Sequence, residues 1–332
     1  MKIKKLKKAL ILFFILILVT CFSSCSVLDI LFGKKENDEP KQSPTDVPPQ
    51  VITDPNWPVT ICGYEINEKP KNVICANPDL CEYLFDMNLS DNIIGISDFC
   101  TFEIPDTTIK TVGTVINPSF EEIKSLSPEY IITDSPYSEE DLIKLQQMDI
   151  KVITFDSPKN LSEIKDLCRQ VSIFFLGAED GSEFGNSYVS EYEGWISEIT
   201  YNGEKKKAAL LRNLDKLMIH KNCIAGELIS LSFDNLAGEY ISTEYPEENW
   251  KDFDPDVLFV GNSIHIIDLE NSSLYKKKTA VKNDRIFTAD SDILNIGSKR
   301  SIDLMKNMLS TAYEDYTLGT AMTPAYPSKY TK

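Results

Sequence analysis

Residues 121 to 132, EEIKSLSPEYII, have a relative 127 positions further along, ENWKDFDPDVLF at residues 248 to 259. Glu121, Lys124 and Pro128 fall on Glu248, Lys251 and Pro255, and Ile123 and Leu126 fall on the bulky apolar Trp250 and Phe253. Each copy reads as a short helix, a turn at the proline and a strand. The two apolar positions, three apart, would meet a core. The glutamate would sit exposed in the first turn, where the helix dipole favours a carboxylate. A chain that carries such a unit twice is constrained to build one substructure twice, and on the residues alone both glutamates can be read simply as helix starters.

The surroundings of the two copies agree. From residue 59 to about 176, short apolar runs (residues 72–76, 93–97, 111–115, 130–134 and 151–155) alternate with helix-period segments (79–87, 119–126, 139–148 and 161–175). Strands of four to six residues alternating with helices predict parallel pairing through right-handed crossovers. Ser119 and Ser138 stand where helix caps are expected. Between Asp180 and Tyr201, Phe184, Tyr188, Tyr192, Trp195, Ile196 and Ile199 recur at spacings of three and four, the pattern of one long amphipathic helix. Alternation then resumes with strands at 207–212, 257–261 and 285–289 and helices at 224–236 and 298–313. The expected fold is therefore α/β, with two α/β sandwich lobes of mainly parallel sheets joined by one long helix. In domain terms this is an N-terminal lobe at 59–178, an interlobe helix at 179–203, a C-terminal lobe at 204–316 and a tail at 317–332.

Ahead of the lobes, MKIKKLKKALILFFILILVTCFSSCS has a basic start and an apolar run from Ala9 to Val19, the length of a signal core and too short to span a bilayer alone. FSSC at 22–25 resembles a bacterial lipobox, which makes 1–25 a lipoprotein signal and Cys25 the lipidated residue, with Cys21 as the alternative. An uncleaved anchor helix is the other reading, and both place the body outside the cytoplasmic membrane. Residues 26–58, with six prolines from position 40 onward among polar neighbours, read as an extended tether. The formal charge is -17; five lysines lie in the first eight residues, so residues 26 to 332 carry -22. Phosphate backbones would repel such a body, which excludes nucleic acid as a partner.

Six cysteines follow the lipobox: Cys62, Cys75, Cys81, Cys100, Cys168 and Cys223. None forms a CxxC pair and most sit among apolar residues, so free buried thiols are expected, with disulfides in an oxidising compartment as the alternative and no metal site. No GxSxG, HExxH, GxxxxGK[ST] or GxGxxG occurs, and two histidines, His220 and His265, offer little for hydrolytic machinery. The chain is read as no enzyme and as carrying no cofactor.

Two stretches, VICANPDLCEYLFDMNLSDNIIGISDFCTFE and VGTVINPSFEEIKSLSPEYIITD, together with ENWKDFDPDVLFV and LYKKKTAVKNDRIFTAD late in the chain, carry a resemblance. In order and spacing they are similar to the substrate-binding proteins of bacterial ABC importers, in the iron-siderophore and cobalamin class with a helical interlobe connector. The likeness covers nearly all of residues 70 to 313. It departs at Phe99, where tyrosine is commoner, at Thr114, where a second glycine is usual, at Asn283-Asp284, which replace an Asn-Gly turn, and over about 213–245.

The resemblance implies a lipid-anchored extracytoplasmic protein that captures a metal chelate, a ferric siderophore or a corrinoid, between its lobes. It would deliver this ligand to a permease with its ATPase. A two-lobed lipoprotein with a sensory or scaffold role is the alternative. Ligand contacts are implied at the loops after the strands: Asn77, Phe99, Cys100, Phe102, Thr114, Ser135 and Tyr137 in one lobe, and Arg212, Asn213, Asn262 and Ser263 in the other. The aromatics would stack on a planar ligand, with ordinary packing as the alternative for each. Arg212 is one of four arginines and could fork onto an anionic group or hold a structural carboxylate. One arginine points to a neutral or weakly charged chelate more than to a polyanion, and haem, which needs a histidine or tyrosine ligand, ranks last. Glu121 and Glu248 match the glutamates that dock on the permease in this family.

Overall fold

The computed structural model describes residues 54–104, 107–237, 245 and 247–313; the signal, Cys21 and Cys25, nearly all of the tether and the tail at 317–332 lie outside the described residues. The first lobe holds a five-stranded sheet in the order β5-β4-β3-β6-β7, formed by Lys110–Thr111, Ile93–Ile96, Val73–Cys75, Tyr130–Thr133 and Lys151–Thr154. The second holds a four-stranded sheet in the order β11-β10-β8-β9, formed by Ile286–Thr288, Val257–Val260, Lys207–Leu211 and Asp234–Asn235. Every pairing in both is parallel. The central strands β3, β6 and β10 are buried along their whole length, as strands covered on both faces must be, and this is why they read as unbroken apolar runs. A small antiparallel hairpin, β1 (Val59–Ile61) and β2 (Tyr64–Ile66), precedes them.

Helices α1 (Pro78–Asp86), α2 (Phe120–Leu126), α3 (Glu139–Gln147) and α4 (Leu161–Leu176) alternate with the strands of the first lobe. The connector is α5, Ala178–Glu198, and α6 (Ile224–Ser232), α7 (Ile266–Asn271), α8 (Thr279–Lys282), α9 (Ser291–Ile296) and α10 (Lys299–Ala312) complete the second. Along α5, Tyr188 and Tyr192 are buried and Phe184, Trp195 and Ile196 are half-buried, the face that the periodicity marks. Ile199, just past its end, is buried too. Its glycines set the packing distance: a Cβ on Gly181 would stand 2.6 Å from Ile173 Cα, and one on Gly185 3.0 Å from Arg169 Cα, so α5 lies backbone against backbone on α4. The amino end of α5 is capped by a residue from before the hairpin, Asn56, whose Oδ1 accepts from the amides of Glu179 (3.0 Å) and Asp180 (2.9 Å).

Three expectations are corrected. The helix expected to reach Leu236 stops at Ser232, because Asp234–Asn235 leave it to pair with β8. The strand expected at 111–115 ends at Thr111: Gly113 has φ +81, and a Cβ there would stand 2.4 Å from the Asn117 carbonyl oxygen, so the chain turns out of the sheet where only glycine fits. Ser119 occupies the cap position of α2 but makes no side-chain bond there, whereas Ser138 accepts from the Asp141 amide at 3.2 Å. The repeat is seen in both lobes, in two windings. Ile123 and Pro128, like Phe253 and Pro255, are buried, while Glu121 and Glu248 are exposed. The first copy is the α-helix α2; the second is a 3-10 turn, Glu247–Asn249. Tighter winding brings residues three apart into line, and just beyond it Trp250 stacks on Phe253 with centroids 4.7 Å apart and planes at 14°.

The lobes meet along a seam between α1 and the α9–α10 corner. Glu82 is buried and receives Arg300 through Nη2 (2.6 Å) and Nε (3.2 Å), and the hydroxyl of buried Ser298 as well. Asp86 accepts the Lys299 amide at 2.9 Å, capping α10 from the other lobe, and Tyr83 donates to the Ile296 carbonyl. One apolar cluster runs from Val73 and Leu84 through Phe174 and Tyr192 to Leu210 and Phe259, without interruption from sheet to sheet. Removing one partner of a buried ion pair leaves the other charge uncompensated. Arg300→Met should therefore cost about 3 kcal/mol in denaturant unfolding, and adding Glu82→Gln should restore part of it. Equal stability of wild type and Arg300→Met would show that the seam contributes nothing.

Candidate ligand cleft

In open parallel sheets, ligands bind outside the carboxyl ends of the strands where the strand order reverses. In the first lobe that point lies between β3 and β6. Asn77 follows β3 and Asp134 follows β6, and the Asn77 amide donates to the Asp134 carboxylate across it. The Asn77 oxygen is engaged as well, capping α1 by accepting the Leu80 amide at 2.7 Å. In the second lobe the reversal lies between β8 and β10, where the Gly261 amide donates to the Leu211 carbonyl at 2.9 Å. Arg212 and Asn213 follow one strand and Asn262 and Ser263 the other, so all four stand at this point.

Between the two reversal points a cavity of about 80 Å³ is lined by Asp79, Asp134, Ser157 and Pro158 on one side and Ile224, Asn295 and Ile296 on the other. It has room for a few waters only, well short of the roughly 300–1,000 Å³ typical of small-molecule pockets. A wider groove of about 540 Å³ lies at the opposite, amino ends of β8, β10 and β11, bordered by Lys206, Asp256 and Arg285. Because ligands of open parallel sheets lie outside the carboxyl ends of the strands, the topology favours the smaller site.

The loop after β4 carries Phe99, 67% exposed, and half-buried Cys100 and Phe102. Phe102 packs edge-on against Phe85 of α1 at 5.3 Å, which leaves Phe99 as the ring free to meet a ligand. Asp98 holds this loop to the next one by accepting the Gly113 amide at 2.9 Å, and Thr114 is half-buried just beyond, its hydroxyl accepting the Asn117 amide. Ser135 is exposed, with its hydroxyl on Asp134 (2.9 Å). Tyr137 is a correction: at 5% exposure it is packed with Ile74, Val112 and Leu145 on the far side of the sheet and has no face left to stack on a ligand. Asn213 folds its own loop, its Oδ1 accepting from Asp215 and Leu217, and Asn262 donates to Asp290 at 3.0 Å. Arg212 is 44% exposed and 3.7 Å from Asp292.

Sequence reasoning missed Asp79, Asp134, Ser157 and Asn295. Asp134 and Ser157 had a signal, since each lies within three residues of a strand end. The carboxyls here crowd one another. Burial pushes Asp79 up from 3.8 to about 6, with Asp134 and Glu82 adding repulsion that Arg300 offsets in part, and burial likewise raises Asp86 to about 6 against the Lys299 amide that lowers it.

Two parallel-sheeted lobes with a reversal point in each and a continuous helical connector are the architecture of a two-lobed binding protein. A family model described as periplasmic binding protein matches residues 73–293. An uncharacterized ABC transporter substrate-binding lipoprotein of Bacillus subtilis, YvrC, is 21% identical over 295 residues, 84% of this chain and 90% of that one. Among solved structures, a possible iron-binding periplasmic solute-binding protein of Staphylococcus epidermidis aligns with TM-score 0.61 and 18% identity, over 74% of this chain and all of the other. The vitamin B12-binding protein BtuF of Vibrio cholerae aligns with TM-score 0.53 and 18% identity, over 73% and 96%. The chain belongs to the periplasmic binding protein family of ABC-importer substrate-binding proteins, and it is the substrate-binding component of such a transporter.

A carboxyl whose folded value is raised holds a proton that the unfolded chain has lost, so stability is greatest below the unfolded value and falls as pH rises through the folded one. For Asp79 and Asp86 that window runs from about 4 to about 6. Asp79→Asn should raise the melting temperature at pH 7 and flatten the slope across this window in thermal scans. An unchanged slope would place the crowding elsewhere.

Proposed function

We propose that the protein is held by a lipid on Cys25, or alternatively Cys21, at the outer face of the bacterial cell membrane. There it captures a neutral or weakly charged metal chelate and hands it to its permease. The observation that supports the ligand class is the charge of the two reversal points. Asp134 and Asp215 lie on the loops after reversing strands, Asp98 and Asp290 after the neighbouring β4 and β11, and Asp79 and Asp292 in the first turns of α1 and α9, against Arg212, Lys216 and Lys221. Arg212 stands by Asp292, and Lys216 lies over the Trp250 ring, 5.3 Å from its centroid. A polyanionic ferric siderophore would meet net repulsion there, and so would the carboxylates of haem. Exposed Phe99 offers an apolar face to a corrin or a hydroxamate chelate with hydrocarbon arms.

The test is a thermal-shift screen of the purified body from about residue 50 with cobalamins, neutral hydroxamate chelates, anionic catecholate chelates and haem. A ligand of the folded state stabilises it by about 2.7 kcal/mol at a hundredfold excess over Kd. Shifts confined to the neutral chelates are expected, with scattering curves nearly the same with and without ligand because the seam restricts closure. A catecholate that outperforms all neutral chelates would sink the charge argument.

Glu121 and Glu248 are the proposed docking residues. Both are exposed, in equivalent places of the two lobes, and form no salt bridge with described residues. Reversing both (Glu121→Lys with Glu248→Lys) should abolish uptake in cells while leaving ligand affinity within about twofold, since exposed charges steer encounter more than they stabilise the fold. Normal uptake by the double variant would remove the docking role.

A further inference from the structure

The six cysteines of the body are free, and three of them are gathered beside the cleft. Cys75 ends β3, Cys81 lies one turn into α1, and Cys100 sits on the loop after β4 next to exposed Phe99. The backbone ties them together. The Asn77 carbonyl accepts both the Cys75 thiol (3.4 Å) and the Cys81 amide (3.0 Å). Buried Ser97 donates its amide to the Cys75 carbonyl and accepts the Cys100 amide, each at 3.2 Å. Phe102 resting on Phe85 presses the same loop onto α1, one turn beyond Cys81. The Cys81 thiol meets those of Cys100 and Cys75, and this contact, together with burial, lowers its acidity. Cys75 and Cys81 are fully buried, while Cys100 retains access to solvent. Cys62, Cys168 and Cys223 have no comparable neighbour among the described residues.

We propose that Cys81 and Cys100 form a thiol–disulfide switch that clamps the cleft loop 98–102 onto α1. The oxidant is a small aliphatic disulfide, RSSR, of the kind an extracytoplasmic compartment supplies; the proposal rests on the location proposed above only for this reagent. The Cys100 thiolate attacks one sulfur of RSSR, forming a mixed disulfide and releasing RS⁻, which takes up the proton Cys100 lost. The Cys81 sulfur then attacks Cys100 Sγ, the second RS⁻ departs with the Cys81 proton, and a Cys81–Cys100 bond remains. Two thiols are oxidised, one external disulfide is reduced to two RSH, and no other reactant is needed. Cys81 is fully buried and out of reach of RSSR, so the half-buried Cys100 thiol controls the reaction. Closing the bond fixes the segment that carries Phe99 and removes freedom from the ligand-facing loop.

The test uses the full chain, reduced, then held folded with excess oxidised glutathione, alkylated, digested and mapped by mass spectrometry. The expected product is one cross-linked peptide pair joining Cys81 to Cys100, with Cys168 and Cys223 recovered alkylated. Chymotryptic cleavage after Phe99 should slow several-fold in the oxidised protein and recover on reduction. Cys168→Ser should leave the yield unchanged, and Cys100→Ser should leave Cys81 reduced. A Cys75–Cys81 bond with Cys100 free, glutathione retained on Cys100 with Cys81 still a thiol, or a bond to Cys62 would each overturn the proposal. None of these readouts requires the transported ligand, so the switch and the ligand reading fail independently.

Discussion

Glu82 is the point on which the two-lobed arrangement turns. A carboxylate taken out of water is costly unless its charge and its lone pairs are met, and here the partners all come from the other lobe: Arg300 through two nitrogens and Ser298 through its hydroxyl. Such a network has one good geometry, and neither lobe satisfies it alone. The backbone follows suit, since α10 begins under the carboxylate of Asp86 and the α9 end receives Tyr83. Around this polar centre the apolar cluster continues from one sheet through α4 and α5 to the other, so polar fit sets the register of the lobes and apolar burial supplies most of the cohesion.

With the lobes so held, sheet topology determines what faces the gap. Parallel strands send all their carboxyl ends one way, and the strand order in each sheet reverses once, between β3 and β6 and between β8 and β10. The loops at a reversal diverge to opposite sides and leave a crevice, and the seam brings the two crevices face to face. The acidic groups that collect there are a consequence of the same geometry: turn and cap positions after strands favour aspartate and asparagine, and Asp290 and Asn77 both cap the helices that follow. Their crowding around Asp79 raises a cost that folding must meet from the rest of the structure, as is common where residues are placed for binding.

The strands and long helices were legible because each buries an apolar set with a period of its own. β6 reads YIIT and is buried throughout, and α5 shows its tyrosines every fourth residue. The hairpin β1–β2, the two-residue β9 and the short helices α7 to α9 were not, since those strands mix exposed with buried positions and a helix of four to six residues is too short to show a repeat of 3.6. The candidate site was legible as a set of strand ends, which located Asn77, Phe99, Arg212 and Asn262. Strand ends do not reveal which side of a sheet a side chain takes, and Tyr137 went to the core side. Nor does one aspartate stand out in a chain with 51 acidic residues, which hid Asp79 and Asp134. The Glu82–Arg300 pair is 218 positions apart and has no local signature at all.

Rigidity and the proposed docking role belong together. An exposed ion pair contributes at most about 1 kcal/mol, too little for either glutamate to hold a partner by itself on a surface that is acidic throughout. Glu121 and Glu248 each stand two to seven residues from a pair of buried anchors, Ile123 and Pro128 in one lobe and Phe253 and Pro255 in the other. Two weak contacts act as one stronger one only if their separation matches the partner without further ordering, because the second then forms at high effective concentration. A freely hinged clamp would spread that separation over many values and lose the gain. In this structure the buried carboxylate at the seam joins the lobes in one register, and on the docking role proposed above its consequence would lie at the surface, in the distance between the two halves of the repeated segment.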